Sequence, residues 1–374
     1  MTGYPIIKKE KEKFTLKILL SHFKKKLAPG QAKIVIKKVV RLSGEGKAYY
    51  DLTDAGSDAG KQVSADTGSL TLSDLIDRIK NHNVYGFGGA AFPAYRKIDT
   101  FAKAGCDRKY LIVNGIECDP GLLHDAWILR NRTDEIEKGI GLLESFFEFE
   151  KVLLAVKDAE NLPDVNEAEI RVLPDRYPMG AERILVKELL GRDIGQSAVP
   201  AKEGILILNI QTVCAIYEAV CFDRGADTKF LTIADLPSGK AVIARVKIGD
   251  DMAGIAERIF GAAEGRKLFC GGGAMQGNEI KRGDTVARTV NFIAYANTPV
   301  YKENAKCSKC GACSQACPAG LKIPKIIRKL EKGDTKDLAR LHPELCIGCG
   351  ACSYSCNADK VLSQKISDYK ISVL

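Results

Sequence analysis

Two cysteine runs near the C-terminus constrain this chain more than any other feature. Cys307, Cys310, Cys313 and Cys317 are spaced C-x2-C-x2-C-x3-C and followed by Pro318, and Cys346, Cys349, Cys352 and Cys356 repeat that spacing after 28 intervening residues. Three thiolates separated by two residues each can reach three irons of one [4Fe-4S] cube, while the fourth, further along, ligates the other cube. The spacing therefore assigns Cys307, Cys310, Cys313 and Cys356 to one cluster, and Cys346, Cys349, Cys352 and Cys317 to the other. Two structural zinc sites or a disulfide framework are the rival readings. Zinc usually takes CxxC pairs a dozen or more residues apart, not four cysteines in eleven. The segment is expected to hold two clusters and to move single electrons.

A chain of 374 residues has room for two or three domains and a sizeable core. Its first residues, MTGYPIIKKEKEKF, lack the apolar stretch that export needs, and no run approaches the ~20 apolar residues of a membrane span. A cytoplasmic protein with reduced thiolates is expected. The other five cysteines (Cys106, Cys118, Cys214, Cys221, Cys270) lack metal-type spacing and read as buried thiols. The net charge of +9 is concentrated: residues 1–48 hold 13 Lys and Arg against 3 Glu. Such an arm reads equally as a solvated face or as a docking surface for an acidic partner. It has little aromatic interleaving, so nucleic acid is not an expected partner.

Residues 1–70 read as a basic, loop-rich segment with a strand-like run at Ile34–Val40. A helix is expected over Leu70–Asn81 with Ser73 as N-cap, and another over Ala94–Ala104. Tyr110–Val113 reads as a buried strand. Helices follow at Leu122–Arg130 and, capped by Thr133, at Asp134–Phe147. Val152–Val156, Ile170–Leu173 and Ile205–Leu208 are further short β-rich runs, and this alternation implies an α/β layer with a mostly parallel sheet. Beyond Phe230 an alternating run at Val242–Ile248, a helix at Met252–Phe260 and the glycines Gly271–Gly273 suggest a small β-grasp module. Short helices at Lys322–Leu330 and Asp337–Leu341 should bring the cysteine runs together.

Between the first two helices lies Gly86-Phe87-Gly88-Gly89-Ala90-Ala91-Phe92-Pro93. Glycines let backbone approach a bound group closely, and a following helix start offers N–H groups to a phosphate. Read as G-x-G-x-x-A the loop matches a Rossmann fingerprint weakly, because the segment before it is helical and not a strand.

Four segments occur in order: GFGGAAFPAYRK (Gly86–Lys97), NGIECDP (Asn114–Pro120), YPMGAE (Tyr177–Glu182) and NIQTV (Asn209–Val213). With the cysteine runs behind them, they resemble the flavin-binding subunit of respiratory complex I. They resemble more closely the C subunit of the Rnf electron-transport complex and its soluble relatives. The likeness covers about residues 80–360 and leaves residues 1–70 aside. It implies a complex I flavin-subunit-like α/β sandwich, then a β-grasp (SLBB-like) module, then an α-helical two-[4Fe-4S] ferredoxin-like domain. The expected divisions are 1–70, 71–228, 229–297 and 298–374.

The resemblance implies FMN and two [4Fe-4S] clusters as cofactors, and NADH as substrate. Gly86, Gly88 and Gly89 would lie against the flavin and its ribityl phosphate, and Lys97 would pair with the phosphate as a point charge. Asn114 and Glu117 would hydrogen-bond near the isoalloxazine, Glu117 also shaping the nicotinamide site. Tyr177, Gly180 and Glu182 would form the second wall of the cleft. Asn209 and Thr212 would bind the phosphate from a helix start, and Phe92 would lie beneath a stacked NADH. Glu117 and Glu182 are the catalytic candidates. Three positions depart from the relatives: Ala91 replaces a glycine, Asp119 replaces a glutamate facing NADH, and Asn357 follows the last cysteine where proline is usual. The four histidines (His22, His82, His124, His342) have no paired spacing and read as structural or surface residues.

The activity so implied is NADH oxidation at FMN, with single electrons passed through two clusters to a partner oxidoreductase subunit, of methylenetetrahydrofolate reductase type, or to ferredoxin. A flavin and iron–sulfur wire without NADH activity, favoured by Asp119, and a non-catalytic ferredoxin adaptor are the alternatives.

Overall fold

The computed structural model describes residues 36–37, 49–53, 69–159, 162–195, 198–262, 265–297, 301, 306–335 and 337–372. The strand-like run at Ile34–Val40 lies mostly outside them; what is described is β1 (Ile36–Lys37). A second early strand is β2 (Tyr49–Asp51). The next part of the chain runs α1 (Leu72–Asn81), α2 (Ala94–Ala102), β3 (Tyr110–Gly115), α3 (His124–Asn131), α4 (Thr133–Glu144) and β4 (Lys151–Val156). It continues through β5 (Glu169–Val172), β6 (Arg176–Tyr177), α5 (Glu182–Leu190), β7 (Ile205–Asn209) and α6 (Ile210–Phe222).

Strands β5-β4-β3-β7 form, in that order, a wholly parallel sheet. Strands β3, β4 and β7 are almost continuously apolar because both faces are covered, while the edge strand β5 is largely exposed. Leu111, Val113, Leu154, Leu206 and Leu208 point into one core with Leu75, Ile98, Ile140 and Val213 from the helices. Tyr110, Ile112, Ala155, Ile205 and Ile207 point into another with Met179, Leu185 and Val186. Helices α4 and α6 touch at Gly139, where an added Cβ would lie 2.6 Å from a Val213 methyl, so only glycine admits this approach.

Two expected caps are displaced. Helix α1 begins after Thr71, whose hydroxyl accepts from Asp74 N (3.2 Å) while the Asp74 carboxylate accepts from Thr71 N (2.8 Å). Three residues beyond Ser73 stands Ile76, which cannot reciprocate in this way, so the capping box forms at Thr71. Thr133 lies within α4 rather than capping it. Only Arg132 separates α3 from α4, and the Thr133 hydroxyl donates to Leu129 O (2.6 Å).

The second layer comprises β8 (Thr228–Asp235), β9 (Lys240–Lys247), α7 (Met252–Phe260), β10 (Lys267–Gly271), β11 (Gly277–Glu279) and β12 (Phe292–Ala296). Its order is β11-β10-β12-β8-β9-β2, with β8–β9 an antiparallel hairpin, β12 parallel to β8 and β10 antiparallel to β12. Around α7, which packs Met252, Ile255 and Ala256 on the sheet, this is the β-grasp arrangement. Residues Ala241–Ala244 of β9 are all buried, because β2 covers its outer edge and cores lie on both faces. The expected alternation is therefore absent there. Part of the segment expected to be loop thus supplies a strand, fixed by Tyr49 stacking on Trp127 with ring centroids 4.5 Å apart.

The C-terminal part holds α8 (Ala312–Gln315), α9 (Ile323–Glu331), α10 (Ala351–Tyr354) and α11 (Leu362–Ser372). The segment expected as a helix at Asp337–Leu341 is a 3-10 turn at Leu338–Leu341. Gly311 (φ +77°) and Gly350 (φ +73°) stand in the left-handed region just before α8 and α10. Each lets a Cys-Gly-Ala-Cys run turn back on itself. Ile323, Ile326, Ile327, Leu362 and Ile366 join the two halves in one small core. Among the described residues, no helix is long and apolar enough to cross a membrane.

Candidate functional site

Strands β3 and β7 run in parallel and lead away from each other in topology, which opens a crevice at their carboxyl ends where open α/β sheets bind ligands. Asn114 and Asn209 stand side by side there. Asn209 caps α6: its Oδ1 accepts from Gln211 N (3.0 Å), and its Nδ2 donates to Asp125 Oδ2 (2.7 Å) and Asn114 O (3.3 Å). Asn114 Nδ2 donates to Gly180 O (3.0 Å), tying the 177–182 wall to the sheet.

The glycine loop closes through Gly86 N donating to Phe92 O (2.8 Å). It is pinned to the start of α6 by Phe87 N donating to the buried Thr212 Oγ1 (3.0 Å). A Cβ on Gly88 would lie 3.5 Å from Asn209 Cβ, and Gly89 has φ +107°. Ala91 adopts φ +47°, a left-handed conformation that glycine reaches more readily than alanine. Phe87 is buried, while Phe92 is 48% exposed at the rim. From α2, Lys97 Nζ donates to Ile207 O (3.0 Å) and pairs with Glu182 Oε1 (2.5 Å) at the start of α5. Bare glycine backbone, a capped helix start, carboxamides and one lysine together form a donor set suited to a phosphate and a planar ring, so FMN fits these residues.

Glu117 has φ +39° and a fully buried carboxylate. Its Oε1 accepts from Asp125 N (2.8 Å), and Lys157 Nζ lies 3.4 Å from Oε2. His124 stands 3.8 Å from the same carboxylate and 3.1 Å from Thr232 Oγ1. Glu117 thus sits behind the crevice in a charge network. Burial, and then the neighbouring Glu117 carboxylate, push Asp125 up to about 7. Burial pulls Lys229 down to about 7, its ammonium bonded to Arg288 O (2.8 Å) and Asn291 Oδ1 (2.7 Å). Sequence reasoning missed Asp125, Lys157, Lys229 and Asn291. Only Lys229 carried a signal, as a lysine heading the apolar run Phe230–Leu231.

Asp119, expected to face a dinucleotide, is buried instead. Its Oδ1 accepts from Met275 N (3.2 Å), and its side chain occupies the space a Cβ at Gly273 would need. Tyr177 is likewise buried. Its hydroxyl donates to Cys349 O (2.6 Å) and accepts from Gln276 Nε2 (3.1 Å). Gly180 N donates to Cys118 Sγ (3.1 Å), so Cys118 supports the wall.

The cysteines sort across the two runs. Cys317, Cys346, Cys349 and Cys352 line one cavity. Burial raises the Cys313 thiol to about 11, with Cys356 and Cys307 close enough to add to the effect. Asn357 Nδ2 donates to Cys310 Sγ (3.6 Å), which sets Cys356 beside the first run. Among the described residues, no three His, Cys, Asp or Glu side chains converge as one bound metal ion requires. A donor set of four thiols around one cavity fits a [4Fe-4S] cube.

Residues 79–218 match the Nuo51 FMN-binding domain family, and residues 306–361 match the 4Fe-4S dicluster domain family. Fold and site thus define an electron-transfer protein that joins an FMN-binding domain to a dicluster iron–sulfur domain. The chain is 32% identical over 284 residues to the C subunit of the ion-translocating oxidoreductase complex of Rhodobacter capsulatus, covering 72% of this chain and 54% of that one. It is 30% identical over 272 residues to the protein of the same name from Haemophilus influenzae, covering 68% and 40%. The chain is thus similar to Rnf complex C subunits over most of its own length, and it spans about half the length of these curated relatives. In fold it is similar to a chain of an NAD+-reducing [NiFe]-hydrogenase, with a TM-score of 0.53 at 15% identity, covering 81% of this chain and 63% of that one.

Proposed function

We propose that this chain is the electron-input subunit of a larger oxidoreductase, oxidising NADH at FMN in its crevice. Single electrons would then pass through two [4Fe-4S] clusters to a partner subunit. The observation that carries the reading is the convergence of the glycine loop, Asn114, Asn209 and Lys97 at the carboxyl ends of β3 and β7. Bound FMN supplies the conversion between two-electron hydride chemistry and one-electron transfer.

The chain's own residues do the rest. Gly86, Gly88 and Gly89 leave room for the flavin, and Lys97 supplies the cation for its phosphate while Glu182 holds that lysine in position. Thr212 and Asn209 fix the loop and the start of α6. Phe92, exposed at the rim, is the surface on which a nicotinamide ring stacks. Glu117 is a positioning residue: buried, it orients the start of α3 through Asp125 N. Residues 71–228 form the flavin and nicotinamide part, 229–297 the β-grasp bridge and 298–374 the cluster part. Partners of the methylenetetrahydrofolate reductase type, or ferredoxin, fit as acceptors, and a cytoplasmic location follows from that role.

A wire lacking NADH activity is the second reading, favoured by Asp119 being engaged with Met275. The chain as purified is expected to contain FMN and to reduce ferricyanide with NADH, and Gly89→Val is expected to lose both while keeping its iron. An FMN-replete chain with no NADH-dependent turnover would leave the wire; full flavin occupancy in Gly89→Val would refute the placement of the loop.

A further inference from the structure

We infer that electrons leave the flavin crevice through the cluster of the second cysteine run and exit from that of the first. The exit is a lysine-edged face that docks an acidic one-electron carrier protein. The inference rests on the crosswise assignment of the cysteines and deepens the function proposed above.

The two cysteine sets are not equivalent in their surroundings. Cys349 and Cys352 are buried. The carbonyl of Cys349 receives the hydroxyl of Tyr177, a residue of the crevice wall. Cys349, Ala351 and Tyr354 share one apolar core with Leu122, Tyr177 and Phe292, so the second run is sealed directly against the flavin and β-grasp layers. Excluding water there removes solvent reorganisation around a charge moving between the two.

The first run is arranged the opposite way. Residues 306–310 are all exposed, including Cys307 and Cys310. Lys306 and Lys309 bracket Cys307, and Lys309 is held at φ +56° by a turn in which its N–H donates to Cys307 Sγ (3.4 Å). Residues 306–372 hold 12 Lys and Arg against 6 Asp and Glu, so Lys306 and Lys309 belong to a segment of net positive charge. A face of this sign attracts a carboxylate-rich partner and repels a basic one. Each passage moves one electron: the outlet cluster is oxidised by one, the carrier is reduced by one, and no bond or proton changes place.

The test starts from the full chain reduced with dithionite, so it requires neither NADH nor flavin. Oxidation by ferricyanide, an anionic one-electron acceptor, is timed in wild type and in Lys306→Glu/Lys309→Glu. The control is Lys138→Glu/Lys151→Glu, an equal charge change on the flavin part. The first pair should slow the reaction about tenfold at low ionic strength, the control less than twofold, and the difference should vanish in high salt. A second readout does not depend on turnover. The anionic dysprosium–EDTA complex should speed electron-spin relaxation of one reduced cluster, and that enhancement should be absent in Cys310→Ala, which retains only the second-run cluster. Equal slowing by both lysine pairs, or an enhancement that persists in Cys310→Ala, would overturn the inference. Iron content in Cys310→Ala that does not fall to half would instead fault the ligand assignment.

Discussion

Asp125→Asn should change how stability depends on pH while leaving the shape of the site nearly intact. Asp125 is buried beside the Glu117 carboxylate and keeps its proton up to about pH 7, whereas an unfolded aspartate releases it near 3.8. Between those values the native state binds one proton more than the unfolded state, so stability falls as pH rises. The contribution is fully present below pH 3.8, declines at roughly 1.4 kcal/mol per pH unit, and is gone above 7. Over the window this sums to on the order of 4 kcal/mol. An amide cannot ionise, yet its oxygen can still accept from Asn209 Nδ2 as the carboxylate does at 2.7 Å. Lys229 does not confuse the comparison, because below its value of about 7 it is protonated in both states. The assay is anaerobic urea unfolding from pH 4.5 to 7, followed by Trp127, the single tryptophan, which stacks on Tyr49 near this network. The difference in stability between wild type and Asp125→Asn should shrink or reverse steadily as pH rises. A difference that stays flat would refute the argument.

Other substitutions test the joints of the molecule. Tyr177→Phe removes the hydroxyl that bonds the buried Cys349 O and the half-buried Gln276 amide. It should cost about 1–3 kcal/mol and loosen the second-run cluster, seen as faster loss of its absorbance in chelator. Gly139→Ala puts a methyl 2.6 Å from Val213 and 2.8 Å from its carbonyl oxygen, and should cost about 1–3 kcal/mol in urea unfolding. Asn357→Ala deletes the N–H donated to Cys310 Sγ, so the reduction potential of the first-run cluster should fall in a redox titration while the other stays fixed. If Lys97 serves the flavin phosphate as proposed, Lys97→Met should weaken FMN retention on dialysis without altering iron content, because it removes that cation but touches no cysteine.

The parts legible in the sequence were those whose signal is local. Cysteine spacing, the apolar runs of β3, β4 and β7, and the glycine loop could each be read within a dozen residues. The pairing of β2 with β9 could not, because it joins positions almost two hundred residues apart and β2 alone has no periodicity. The fate of Asp119 was equally hidden. Its sequence position implied a place facing substrate, but Gly273, far along the chain, leaves the space into which its carboxylate turns. The partners of Glu117 escaped for the same reason: Asp125, His124 and Lys157 look like ordinary polar residues until the fold brings them around its carboxylate. Cap positions failed by one or two residues where Thr71 and Ser73, or Arg132 and Thr133, competed for the same role.

The central claim is that NADH reduces this chain and that the electrons reach its clusters. An anaerobic NADH titration of the purified protein, followed in the visible spectrum, tests it most directly. Bleaching of flavin and cluster absorbance together, at stoichiometric NADH, is the predicted result. Flavin and clusters that stay oxidised until dithionite is added would contradict it.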